Sequence, residues 1–188
     1  MSFILDRLEK AGRKYVIYDK GEPYLTRYYL AYKDQVDGER TDIPGNIFLH
    51  HFHKSDSPVY HDHPFSYLTV ILRGGYWEHK PNEYGTDIRT WRGPGSIIRS
   101  DKTKHTKLIE QSFVTVDNVV YPTPKFKSIP ANAHWIELPE GVETWTLFIR
   151  GRKVNDAVGR DDWGFYPNVF GQRIWWKDWL KIVRSSEL

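Results

Sequence analysis

Between Tyr15 and Arg150 short apolar runs are cut apart by turn residues, and this rhythm limits the fold more than any other feature of the 188 residues. The runs are Tyr15–Tyr18, Tyr24–Tyr32, Ile47–His53, Tyr67–Arg73, Tyr76–Lys80, Ile88–Trp91, Ser96–Arg99 and Thr144–Arg150. Lys20-Gly21-Glu22-Pro23, Pro44-Gly45-Asn46, Gly74-Gly75, Pro81-Asn82 and Arg92-Gly93-Pro94-Gly95 separate most of them. Many short strands so punctuated predict an all-β sandwich or barrel. The 8 Trp, 12 Tyr and 9 Phe agree, since large flat side chains suit sheet cores and small-molecule pockets.

Two helices frame the strands. Residues 2–11 read as an amphipathic helix capped by Ser2 and stopped by Gly12. A C-terminal helix over about 172–185 carries Ile174-Trp175-Trp176-Lys177-Asp178-Trp179-Leu180-Lys181-Ile182-Val183. Its apolar face is too wide for a simple surface helix, so it packs across a sheet or against a second subunit. The length suits one domain spanning 1–188, with a barrel core over about 15–151. Residues 111–133 form a proline-interrupted rim insertion, with a hairpin turning at Asp117-Asn118.

Several functions are set aside by composition. A net charge of +3 without a continuous basic stripe argues against nucleic acid as partner. The absence of cysteine excludes disulfides, thiolate ligands and cysteine nucleophiles, so any metal is held by nitrogen and oxygen. The N-terminal stretch lacks a long apolar segment, and no run has the length of a membrane helix. A cytoplasmic location without membrane partners is expected.

Five of the eight histidines fall between His50 and His63. Residues two apart on a strand point to one side, so His61 and His63 present both imidazoles to one interior. Pro64 pushes His63 towards extended geometry. An isolated pair of this kind is most often two surface histidines, but here a strongly apolar strand follows. By parity Tyr67, Thr69, Ile71 and Arg73 share the histidines' face. His51 and His53 share one face with Leu49, and His50 shares the other with Phe48 and Phe52. One of those faces is interior, so His51 or His53 is a candidate for the pocket border. His79, next to Glu78, is expected to point outward.

The stretch His61-Asp62-His63-Pro64-Phe65-Ser66-Tyr67-Leu68-Thr69-Val70-Ile71-Leu72-Arg73-Gly74-Gly75 resembles the first motif of the cupin superfamily. The run from Gly93-Pro94-Gly95 to His105 resembles the second. More narrowly, the chain is similar to a group of small uncharacterised bacterial and phage cupins. The resemblance covers about residues 46–150. It implies a double-stranded β-helix, or jelly-roll barrel, holding one divalent transition metal through His61, His63 and His105. His134 is the alternative third ligand. Where the superfamily pattern has a glutamate this chain has Tyr67. The site then has three histidines, or takes Glu78 as a fourth ligand, unless Glu78 is a rim residue paired with an arginine.

Three histidines leave most of the charge of a divalent ion uncompensated, so it attracts anionic or bidentate oxygen ligands. Fe(II) is favoured, with Zn, Mn and Ni open. The leading expectation is a mononuclear non-haem iron dioxygenase acting on a small organic substrate, with Tyr67 or Glu78 handling a proton or orienting a ligand. A sugar isomerase or epimerase and a non-catalytic binding module are the alternatives. Tyr76, Trp91 and Trp145 are candidates for an aromatic pocket wall, and Arg73 and Arg99 for fixing an anionic group. Trp163-Gly164-Phe165-Tyr166-Pro167 reads as a lid or a dimer contact, and a homodimer is expected.

Overall fold

The computed structural model describes residues 2–33 and 44–185. The chain is mostly β with two helices. In order these are α1 (Ser2–Lys10), β1 (Lys14–Asp19), β2 (Glu22–Tyr29), β3 (Asn46–Phe52), β4 (Tyr60–His61), β5 (Tyr67–Arg73) and β6 (Tyr76–Pro81). There follow β7 (Asp87–Arg92), β8 (Ile97–Ser100), β9 (His105–Glu110), β10 (Phe113–Val116), β11 (Val119–Pro122) and β12 (Lys125–Pro130). The last are β13 (Trp135–Glu137), β14 (Thr144–Arg150), β15 (Gly164–Tyr166), β16 (Ile174–Trp175) and α2 (Trp176–Ser185). Each run expected to be a strand contains one, although β2 ends at Tyr29, short of Tyr32; the C-terminal helix starts only at Trp176, because Ile174 and Trp175 pair with β15 as β16. Helix α1 ends where Gly12 turns left-handed at φ 64°. The side chain of Ser2, its expected cap, lies outside the described residues.

Six strands form the main sheet in the order β1-β2-β3-β14-β5-β8. Two three-stranded sheets, β13-β6-β7 and β16-β15-β4, and the pairs β12-β9 and β10-β11 complete the set. Among the described residues no ladder joins the main sheet to the smaller ones. Asp117 and Asn118 both have positive φ, as the tight turn of the β10–β11 hairpin requires. Strand β12 pairs along its whole length with β9.

The inner face of the main sheet follows the alternation of its strands. Phe48 and His50 on β3, Thr144 and Thr146 on β14, and Tyr67, Thr69 and Ile71 on β5 are buried. The register couples them, with Thr146 opposite both His50 and Ile71. Tyr67, Ile71, Tyr76, Ile98, Ile136 and Leu138 form one core cluster between the main sheet and the β13-β6-β7 sheet. A second cluster, including Leu108, Ile129, Ala133 and Tyr166, joins β9 and β12 to β15. Burying each large apolar side chain contributes about 1.5–3 kcal/mol. Helix α2 covers the β16-β15-β4 sheet, with Trp179 stacked on Phe165 at 5.4 Å and Trp176 on Trp163 at 5.3 Å. No helix among the described residues is long and apolar enough to cross a membrane.

Candidate metal centre

His61 ends β4 and bonds through its backbone to His134, with N–H to O distances of 2.9 Å in both directions. That bridge draws a histidine distant in sequence onto the His61-Asp62-His63 segment. Asp62 faces away from the rings and is fully buried. Its carboxylate accepts from Gly164 N–H at 2.6 Å, Lys102 Nζ at 2.8 Å and Arg173 at 3.0 Å. Strand β15 adds further pairing to β4, Phe165 lying opposite His61. Within the Trp163–Pro167 stretch, β15 thus braces the histidine segment rather than forming a lid. The strand expected to carry both histidines is interrupted, with β4 ending at His61 and β5 starting at Tyr67. His63 reaches the site because Asp62 pins the intervening residue.

The ligand atoms of His61, His63 and His134 all lie within 4.8 Å of one another. His63 Nε2 and His134 Nε2 are 3.0 Å apart. Burial, with the charges of its histidine neighbours, holds the His63 imidazole well below its ordinary range; burial likewise lowers His61. Both rings are therefore held neutral, the form that binds a metal.

His134 is oriented from behind. Its Nδ1 lies 3.1 Å from Glu78 Oε1, and with the proton on Nδ1 the lone pair of Nε2 faces the cluster. Glu78 is 1% exposed. Its other oxygen accepts two bonds from Arg92, at 2.9 and 2.7 Å, and Lys80 lies 3.1 Å from Oε1. Burial raises the Glu78 carboxyl, but the hydrogen bond and charge of His134, with Lys80 and Arg92, outweigh it and hold the carboxyl well below the usual carboxylate range. Both oxygens are engaged, so Glu78 supports His134 and is not placed as a fourth ligand. The Tyr67 ring stands edge-on to His63 at 5.3 Å. Its hydroxyl is buried and meets the hydroxyl of Ser100, opposite it on β8. Burial and the Glu78 charge raise the phenol well above its ordinary value and keep it a proton donor.

The remaining expected site residues fall elsewhere. His105 is exposed, its Nδ1 3.2 Å from Thr103 O, beside an open groove of about 900 Å³ that also touches Lys127 and Arg173. It does not join the cluster, and the preference for it over His134 is reversed by the backbone bridge between His61 and His134. Arg73 leaves the inner face because a register shift pairs Ile71 with Thr146 but Arg73 with Trp145. Arg99 pairs with Leu68 and is exposed. Tyr76 is a core residue against Phe52, at 6.3 Å. Trp91 is 43% exposed, and Trp145 lies on the outer face stacked on His51. His50, not His51 or His53, is the interior member of its group. His79 lies on the far side of its strand from Glu78 yet is buried, stacked on Trp135 at 3.6 Å and bonded to Asp87 and Glu137.

No family model matches the chain, and no curated protein matches it. Among solved structures, the polyketide cyclase RemF from Streptomyces resistomycificus is 14% identical, with 74% of this chain and 73% of that one covered at a TM-score of 0.44. A cupin-2 domain protein from Rhodospirillum rubrum is 12% identical, with 92% and 80% covered at 0.45. A double-stranded β-helix protein from Klebsiella pneumoniae is 12% identical, with 80% and 90% covered at 0.40. These likenesses are too loose for fold or activity to follow from them.

Proposed function

We propose that the chain is a cupin-type metalloenzyme that holds one divalent transition metal through His61, His63 and His134, and that it acts as a non-haem iron dioxygenase on a small organic substrate. The observation that carries the metal reading is the approach of His63 Nε2 to His134 Nε2 at 3.0 Å, with Glu78 on the far nitrogen of His134. All-nitrogen, charge-neutral donors suit iron(II), zinc, manganese or nickel. When bound, iron(II) in such a site supplies open coordination positions and an electron source for dioxygen chemistry. Glu78 fixes the His134 tautomer, and Arg92 and Lys80 keep Glu78 ionised. Tyr67 offers its buried hydroxyl to an anionic oxygen of the substrate. The inner aromatic side chains Phe65, stacked on His63, and Phe148, stacked on Tyr67, exclude water.

The same pair supports a second reading, a metal-free isomerase or epimerase acting on a sugar. There His134 is the base and Glu78 its orienting carboxylate. Metal reconstitution separates the two. Oxygen uptake that needs Fe(II) and is lost in His63→Ala supports the dioxygenase, whereas turnover unaffected by chelation overturns the metal reading. We also propose a homodimer, supported by the apolar outer face of the main sheet, where Ile47, Leu72, Ile97 and Ile149 are 37–66% exposed. A monomer in sedimentation at micromolar concentration contradicts it.

A further inference from the structure

The outer face of β3 carries a second histidine cluster. His51 and His53 project to the same side, their ring centroids 4.1 Å apart. His53 follows the end of β3, and its N–H continues the ladder to Tyr24 O at 2.9 Å. Glu143 immediately precedes β14 and lays one carboxylate oxygen against each ring. Oε2 is 2.9 Å from His51 Nε2, and Oε1 is 3.2 Å from His53 Nδ1. The ligand atoms of all three lie within 4.8 Å of one another.

Each ligand is held from behind. The His51 ring lies on the indole of Trp145 at 3.9 Å and 15°, and Trp145 in turn stacks on Tyr28. His53 Nε2 meets the hydroxyl of buried Thr26 at 2.8 Å. The backbone of Glu143 is fixed by Gly74, which is left-handed at φ 78°; a Cβ there would lie 2.3 Å from Glu143 O. The Thr26 hydroxyl both donates and accepts. Without a cation it donates to His53 Nε2 while Nδ1–H bonds Glu143. With a cation on Nδ1 it accepts from Nε2–H, so no buried polar group is orphaned in either state. Glu143 is 56% exposed at its side chain, which opens the site to ions from solvent. Arg73, aligned with Trp145, is a nearby cation on this face.

We propose that His51, His53 and Glu143 form a second, surface site for a divalent ion of the zinc, nickel and copper class, independent of the interior cluster. Two imidazoles and one carboxylate are a donor set for borderline ions, and solvent fills the remaining positions. The stacking of His51 on Trp145 gives the site its own optical signal.

The test is a titration of the metal-stripped full chain with Zn(II) by calorimetry and with Co(II) by tryptophan fluorescence. The wild type is expected to take up a surface equivalent that quenches part of its emission. His51→Ala/His53→Ala removes that equivalent and keeps the interior one, while Glu143→Gln weakens it by at least about tenfold. Trp145→Phe keeps the equivalent and loses the quenching. A circular-dichroism melt shows whether each variant is folded; Glu143→Gln, which alters only an exposed side chain, is the decisive one if the double variant does not fold. An unchanged surface equivalent in Glu143→Gln or in the folded double variant, or none in the wild type, overturns the proposal. Failure of the interior site alone is read separately, as loss of the equivalent that His63→Ala removes.

Discussion

The two histidine clusters are built from the same dipeptide spacing, and they differ in where the carboxylate stands. In the interior cluster Glu78 is buried behind His134 and spends both oxygens on His134, Lys80 and Arg92. In the outer cluster Glu143 is exposed in front of the rings and faces both of them. A carboxylate behind a histidine sets its tautomer, whereas one in front becomes a ligand. The neighbours decide which: buried Glu78 has the two cations Lys80 and Arg92 to satisfy it, and the exposed Glu143 bonds the two imidazoles.

The largest expected effect is on the interior framework. Asp62→Ala leaves Lys102, itself 7% exposed, without its buried partner and is expected to cost about 3–5 kcal/mol, read as a fall in the urea midpoint. A loss below about 1 kcal/mol, the range of an exposed ion pair, breaks the distinction between the two clusters. Next, Glu78→Gln is expected to weaken interior metal binding by about 10–100-fold while the outer site is unchanged, checked by competition with a chelator.

Acid should also separate interior from surface. Burial lowers His50, His61 and His63 below the ordinary imidazole value of 6.5. In the unfolded chain these groups take up protons near that value, and in the folded chain only at lower pH. Stability is therefore full above about pH 7 and falls as pH drops below 6.5, by about 1.4 kcal/mol per pH unit for each such group. Denaturant melts of the metal-free protein between pH 7 and 5 check this, and a flat profile contradicts it. The smallest effect is expected at His105→Ala, which should keep its interior metal and shift stability by less than about 0.5 kcal/mol.

The strands were legible because alternation and turn residues are local signals, and His61 and His63 were legible because their spacing is local too. The third histidine was not. Which of His105 and His134 joins them depends on the backbone bridge from His61 to His134, which no spacing reports. The β-bulge that carries Arg73 to the outer face breaks a parity count in the same way. Trp145 and the group His50, His51 and His53 sit on a strand pair whose two faces are both partly apolar, so alternation could not say which face is inside. The bracing strand β15 has three residues, too few for a periodic signal, and only its pairing with β4 reveals its role.

The most direct measurement is elemental analysis of the tag-free protein and of His134→Ala, each in a His51→Ala/His53→Ala background that removes the outer site. The account predicts about one equivalent of a divalent transition metal in the parent and less than about a tenth of that in the His134 variant, with His105→Ala indistinguishable from the parent. Metal retained in His134→Ala but lost in His105→Ala would contradict it.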